Sequence, residues 1–243
     1  MRTQRTQRTL WHLAGAAAGA FALGLVTAVP ANAALPSPVT FGNSGDVPLV
    51  GDWNGDGDDE IGVYRPGTRT FYMRGDTGGV TSVVYGNSGD VPLVGDWNGN
   101  GVDQLGVYRP DQRTFYRDGQ APVTFGNSGD VPLVGDWNGD GDHEIGVYRP
   151  GTRTFYMRGD SGGVTSVVYG NSGDVPLVGD WNGNGVDQLG VYRPDQRTFY
   201  RDGRAPVTFG NSGDVPLVGD WNGDGDHEIG VYRPDYRTFY PGS

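Results

Sequence analysis

The chain has 243 residues with 44 Gly, 16 Pro, no Cys and 35% hydrophobic side chains, and its 29 acidic against 18 basic residues give a net charge of −11. So much Gly and Pro is poor material for a helical bundle, and 12% aromatic residues is too rich for a disordered tail, which leaves turn-dense β structure. The acidic balance excludes a basic nucleic-acid binder, and the lack of Cys excludes a disulfide framework.

In chain order, residues 1–33 read as a secretion signal. Arg2, Arg5 and Arg8 precede an apolar run from Leu13 to Val29, and Ala31-Asn32-Ala33 after Pro30 offers a cleavage site. A signal anchor is the competing reading, because the run is near the lower length for a membrane span; the small residues at the site favour removal. The expected mature protein, residues 34–243, is extracellular, has no membrane span, and carries a charge of −14 once the three leading Arg are gone.

Beyond the signal, Val-Pro-Leu-Val-Gly-Asp-Trp-Asn-Gly recurs with its Gly-Asp-Trp at Gly51, Gly95, Gly135, Gly179 and Gly219, at spacings of 44, 40, 44 and 40 residues. Segments 41–126 and 125–210 differ only at Asp59/His143, Thr77/Ser161 and Gln120/Arg204, the mark of a tandem duplication. Each unit holds four β-prone runs between Gly, Asn, Asp or Pro. In the first unit these are 47–53, 60–66, 70–74 and 80–86, and in the second 91–97, 104–110, 114–117 and 122–126. A four-stranded meander of this length is the size of a propeller blade. The fifth unit has only three runs, ending at Tyr240. Pro38-Val39-Thr40-Phe41-Gly42 near the mature N-terminus matches the fourth-strand sequence Pro122-Val123-Thr124-Phe125-Gly126. The sequence therefore predicts an all-β, five-bladed β-propeller of four-stranded blades closed by its N-terminal strand. Such closure removes free sheet edges.

Between the first two runs of each unit lies a loop with oxygen-bearing side chains at alternate positions. In unit one these are Asp52, Asn54, Asp56, Asp58 and Glu60, with Gly57 at position six. Alternate residues of a tight loop aimed at one centre suit a hard cation with six to eight oxygen ligands; position seven would give its backbone carbonyl. Position twelve is Val63, so the loop is not an EF-hand. Units three and five repeat the set as Asp136, Asn138, Asp140, Asp142, Glu144 and as Asp220, Asn222, Asp224, Asp226, Glu228. Units two and four carry amides instead, as Asp96, Asn98, Asn100, Gln104 and Asp180, Asn182, Asn184, Gln188. Ligand charge sets calcium affinity, so three strong Ca2+ sites and two weak or empty loops are expected. The amides can close the turn by hydrogen bonds alone.

Gly-Asp-Trp-Asn-Gly-Asp-Gly, followed by Ile-Gly-Val-Tyr-Arg-Pro and Thr-Phe-Tyr, resembles the FG-GAP/VCBS-type repeats of secreted bacterial proteins, relatives of the repeat in integrin alpha-chain propellers. The resemblance runs from about Pro38 to Tyr240 and implies a calcium-bearing propeller used for adhesion or ligand binding. Two features depart from it: integrin-type propellers have seven blades, and Glu60, Glu144 and Glu228 stand where the family usually has Asp. In architecture the chain also resembles the five-bladed tachylectin-type sugar-binding propellers.

Tyr64, Arg65, Arg69 and Tyr72 in unit one, with Tyr108 and Arg109 in unit two, are candidates for a ligand surface, since aromatic rings beside Arg can stack on a sugar and bind its hydroxyls. Packing between blades and structural ion pairs compete for the same residues. Each loop Trp is expected to wedge between blades. Arg74-Gly75-Asp76 and Arg158-Gly159-Asp160 match an integrin-ligand tripeptide, although each sits where a Gly-rich turn is needed. His143 and His227 are the only His beyond the signal, and no nucleophile–base–orienter set is legible. The expected protein is a monomeric, non-enzymatic module that binds extracellular glycan or another cell-surface component. A structural or protein-adhesion module and, less favoured, a glycan-cleaving enzyme are the alternatives.

Overall fold

The computed structural model describes residues 38–242, so the expected signal segment lies outside the described residues. Within them the chain forms five four-stranded antiparallel sheets. Blade one comprises β2 (Val47–Gly51), β3 (Glu60–Arg65), β4 (Thr70–Arg74) and β5 (Val80–Val84). Blade two follows with β6 (Val91–Gly95), β7 (Gln104–Arg109), β8 (Thr114–Arg117) and β9 (Val123–Thr124), and blade three with β10 (Val131–Gly135), β11 (Glu144–Arg149), β12 (Thr154–Arg158) and β13 (Val164–Val168). Blade four contains β14 (Val175–Gly179), β15 (Gln188–Arg193), β16 (Thr198–Arg201) and β17 (Val207–Thr208). Blade five takes β18 (Val215–Gly219), β19 (Glu228–Arg233) and β20 (Thr238–Pro241) from the end of the chain and β1 (Val39–Thr40) from its beginning.

The expected closure is present. Val39 pairs with Phe239 and Thr40 with Thr238, and the Phe41 N–H donates to the Arg237 carbonyl at 2.9 Å. The innermost strands β2, β6, β10, β14 and β18 each touch the next, and β18 returns to β2. The molecule is thus a five-bladed β-propeller. The first strand of each blade ends two residues earlier than its apolar run, because the following Asp turns its carboxylate onto the loop's own backbone.

Apolar side chains lie mostly between blades. Trp221 of blade five packs with Ile61 and Val63 of blade one, and Trp97 of blade two packs with Ile145 and Val147 of blade three, so the loop Trp is the expected wedge. Full burial of such a side chain contributes on the order of 2–3 kcal/mol, which is how a chain without disulfides holds separate sheets together. Close approach at the axis needs Gly51, where an added Cβ would stand 2.6 Å from Val94 Cγ1 of the next blade. The sharp turn after β3 places Arg69 at φ 57, and Arg113, Arg153, Arg197 and Arg237 do the same in their blades.

Candidate metal loops and ligand clefts

The loop between the first two strands is built around the Asp at its first position. Asp52 Oδ1 accepts from the N–H groups of Asn54 (3.1 Å) and Gly55 (2.6 Å), and Oδ2 from Gly57 (3.0 Å). Asp96 of the amide-bearing loop does the same for Asn98 and Gly101. This Asp folds the turn in both loop types.

Position nine closes the loop. Glu60 Oε2 accepts from the Trp53 N–H at 2.9 Å, while Oε1 accepts from the Asn54 side-chain amide. Glu144 and Glu228 repeat both bonds. The extra methylene of Glu relative to Asp lets one carboxylate span from the second strand to the Trp amide. In blade two Gln104 Oε1 takes the Trp97 N–H at 2.8 Å, and its amide nitrogen donates to Asn100 Oδ1 at 3.2 Å and to the Val102 carbonyl. The amide loop is therefore closed by its own hydrogen bonds and gathers no excess charge.

The acidic loops bring carboxylates together. Oxygens of Asp56, Glu60 and Asp76 lie within 4.8 Å of one another in blade one, as do those of Asp140, Asp142 and Asp160 in blade three and of Asp220, Asp224 and Glu228 in blade five. Asp76 and Asp160, the acidic ends of the Arg-Gly-Asp turns, were not legible as loop partners. The turn after β4 folds toward the same end of the blade, and Asp76 Oδ2 accepts from Asn54 Nδ2 at 3.1 Å, with Asp160 and Asn138 repeating the contact. Crowding raises the carboxyl pKa values. Hydrogen bonding to Asp56, then burial, pushes Asp58 up to about 7, and Asp140 does the same to Asp142, which reaches about 6. Burial first, reinforced by Asp76 in blade one, raises Glu60 to about 8; burial raises Glu144 and Glu228 to about 7. An all-oxygen set of clustered carboxylates whose neighbours penalise their own ionisation fits a hard divalent cation.

Blades three and five also face arginines from the preceding blade. Arg117 sits over Trp97 at 5.7 Å with its Nε buried and without a hydrogen-bond partner, at the place where blade one has Met73. It joins Asp142, Glu144 and Asp160 around a cavity between blades two and three. Arg201 repeats this arrangement over Trp181, and Arg204 reaches Asp226 at 3.3 Å.

Position eight of the loop has a separate job. Asp59, Asp103, His143, Asp187 and His227 ring the axis around a cavity of about 130 Å³. Asp103 Oδ2 accepts from the Asp52 N–H of blade one at 3.1 Å, and the Asp103 N–H donates back to the Asp52 carbonyl at 2.8 Å. His143 clasps Asp96 through Nδ1 at 3.0 Å, and Asp59 closes the circle by accepting from the Asp220 N–H at 2.8 Å. Burial pushes Asp59 up to about 7 and Asp187 to about 6, and it lowers His143.

The ligand candidates divide by strand face. Tyr64 and Tyr108 are 1% and 2% exposed, each packed in a tilted arrangement against the neighbouring Phe with ring centroids 4.7 Å apart, so a role in stacking on a ligand is corrected to a core role. Arg65 forms a bidentate pair with Asp46 (2.9 and 2.8 Å) and covers Tyr72 at 4.5 Å; Arg109 does likewise with Asp90 and Tyr116. Arg69 is an exposed turn residue whose carbonyl accepts from the Tyr85 N–H at 3.0 Å. Around these pairs, at the turn between second and third strands, lie shallow polar clefts. Those of blades two, four and five measure about 430, 380 and 270 Å³ and share an Asn-Ser-Gly-Asp wall facing an Arg-Pro-Asp turn.

No protein-family model matches the chain, and no curated protein matches it in sequence. Among solved structures it is similar to BBS1N in complex with ARL6DN in a lead-soaked crystal, at 11% identity and a TM-score of 0.42, covering 84% of this chain and 69% of that one. The mercury-soaked crystal of the same complex matches at 11% identity and a TM-score of 0.40, covering 80% and 62%. At this identity, function has to be read from this chain's own residues. Among the described residues no helix is long and apolar enough to cross a membrane.

Proposed function

We propose that the chain is an exported, calcium-stabilised, non-enzymatic binding module of the FG-GAP/VCBS type that binds extracellular carbohydrate or carbohydrate-bearing cell-surface material. The observation that carries the binding reading is the recurrence of one cleft: Asn87-Ser88-Gly89-Asp90 against Arg109-Pro110-Asp111 returns with the same residue types in blades four and five. Several equivalent shallow sites suit multivalent attachment, where avidity raises modest single-site affinity, and do not suit one unique catalytic centre. In each cleft Arg and Asp are already paired, so the surface is preorganised.

Calcium belongs to the other set of loops. Asp56, Glu60 and Asp76, with their counterparts in blades three and five, would hold it and stiffen the hairpins by binding only the folded chain. A glycan array probed with and without chelator tests the whole reading. Retention of glycans in calcium and weaker retention in chelator are expected; no glycan or cell-wall retention in calcium contradicts it.

A further inference from the structure

Among the described residues, Tyr236 is the most exposed aromatic side chain, with 65% of its surface open to solvent. It stands on the turn between β19 and β20, beside the blade-five cleft. The equivalent positions are Thr68, Gln112, Thr152 and Gln196. Those side chains fold back onto their own blades: Gln112 and Gln196 accept from the hydroxyls of Tyr116 and Tyr200 at 2.7 Å, and Thr68 and Thr152 accept from Thr70 and Thr154 at 2.8 Å. A Tyr ring cannot be an amide acceptor for the neighbouring strand. Tyr240 instead accepts from Arg233 Nη1 at 3.4 Å, and the Tyr236 ring is left outward.

The turn that displays it is held by three hydrogen bonds. The Tyr236 N–H donates to the Arg233 carbonyl at 3.2 Å, Arg237 to Pro234 at 3.1 Å, and Thr238 Oγ1 to the Tyr236 carbonyl at 2.9 Å. The cleft floor is equally fixed, since Asp214 holds Arg233 through two bonds of 2.9 and 3.0 Å. Ser212 and Asp235 bring a hydroxyl and a carboxylate to the rim. A flat apolar face held beside hydroxyl and carboxylate groups matches a ring that has one C–H face and an edge of hydroxyls.

We propose that the blade-five cleft, with Tyr236 as its stacking platform, is the principal binding site for a neutral pyranose. This rests on the carbohydrate reading above and selects one blade within it. Neutral sugar is specified by charge: Asp235 on the rim and a net charge of −11 oppose an acidic sugar, and the one cleft arginine is already neutralised by Asp214.

The test is an array of neutral hexose, N-acetylhexosamine and uronate-bearing oligosaccharides, read in calcium with wild type, Tyr236→Gln and the double variant Gln112→Tyr/Gln196→Tyr. The first substitution gives blade five the turn residue of blades two and four, so its melting temperature should match wild type. Neutral glycans should be retained by wild type, about tenfold more weakly by Tyr236→Gln, and more strongly by the double variant. Unchanged binding by Tyr236→Gln overturns the assignment of the site while leaving the carbohydrate reading standing. Preference for uronate overturns the charge assignment, and no retained glycan in any form overturns the carbohydrate reading together with this one.

Discussion

The loops of blades one and two have the same length, the same leading Asp and the same closing bond to the Trp amide, yet they differ in how much charge they gather. In blade two, Asn100 and Gln104 satisfy each other, and the loop is complete as the chain makes it. In blade one, Asp56 and Glu60 meet Asp76 within 4.8 Å, and burial penalises the charges further. Two side-chain amides give a turn closed by its own hydrogen bonds, while their carboxylate counterparts crowd like charges that a bound cation would offset. On the proposed function, the stability of blade two is intrinsic and that of blade one responds to calcium in the medium.

The largest expected effect comes from exchanging the loops. Asp56→Asn/Asp58→Val/Glu60→Gln gives blade one the loop of blade two, and calorimetric titration should then find one fewer bound calcium. At a hundredfold excess of calcium over Kd the wild-type site contributes about 2.7 kcal/mol, so the variant should be less stable than wild type by that amount less whatever the relieved repulsion returns. In chelator the order should reverse, because the repulsion is gone. A variant less stable than wild type in both media would show that the carboxylates serve the fold without metal.

Asp103→Ala is the next in size and should ignore the loop difference. It leaves the buried-side Asp52 N–H of blade one without its acceptor, at a cost of about 1–3 kcal/mol in chemical denaturation, equal with and without calcium. A calcium-dependent cost would tie the axial clasp to the metal loops.

The pH response of the metal-free protein sharpens the comparison further. Asp58, Glu60, Glu144 and Glu228 have folded pKa values of about 7 to 8, above the ordinary 3.8 and 4.5, so the folded state binds more protons than the unfolded one across that interval. The contribution of these four carboxyls is then fully present at low pH and is lost as pH rises from about 4.5 toward 8, while Asp56, Asp140 and His143, whose pKa values are lowered, act in the opposite sense at lower pH. A melting-temperature series in chelator should show this decline, and the loop-exchange variant should show less of it. A flat or rising profile would contradict the crowding. The smallest effect is Arg117→Met, which copies the Met73 of blade one. Removing a half-buried cation facing Asp142 and Asp160 should tighten calcium at blade three by a few-fold. Unchanged affinity would mean that the guanidinium does not act on that loop.

Five blades and their closure were legible because near-identical repeats make the missing strand of blade five and its match at Val39–Phe41 visible in the letters themselves. The acidic loops were legible from residue type at alternate positions. Asp76 and Asp160 were not, because their approach depends on how the turn after β4 folds toward the loop after β2, which spacing alone does not state. Strand period also shows that half of the rings must face inward without saying which; of the neighbours Phe71 and Tyr72 the buried one proved to be Phe71, which packs against the buried Tyr64 of the neighbouring strand. The axial ring escaped for a related reason: position eight varies between Asp and His, and both types serve the same end by accepting a backbone N–H from the blade before.

Calcium stoichiometry by isothermal titration, with melting followed in calcium and in chelator, tests most directly that the two loop types differ in their need for metal. Three ions per chain, and a melting temperature that drops clearly on chelation, are predicted. Five equivalent ions, or none with melting unchanged by chelator, would contradict it.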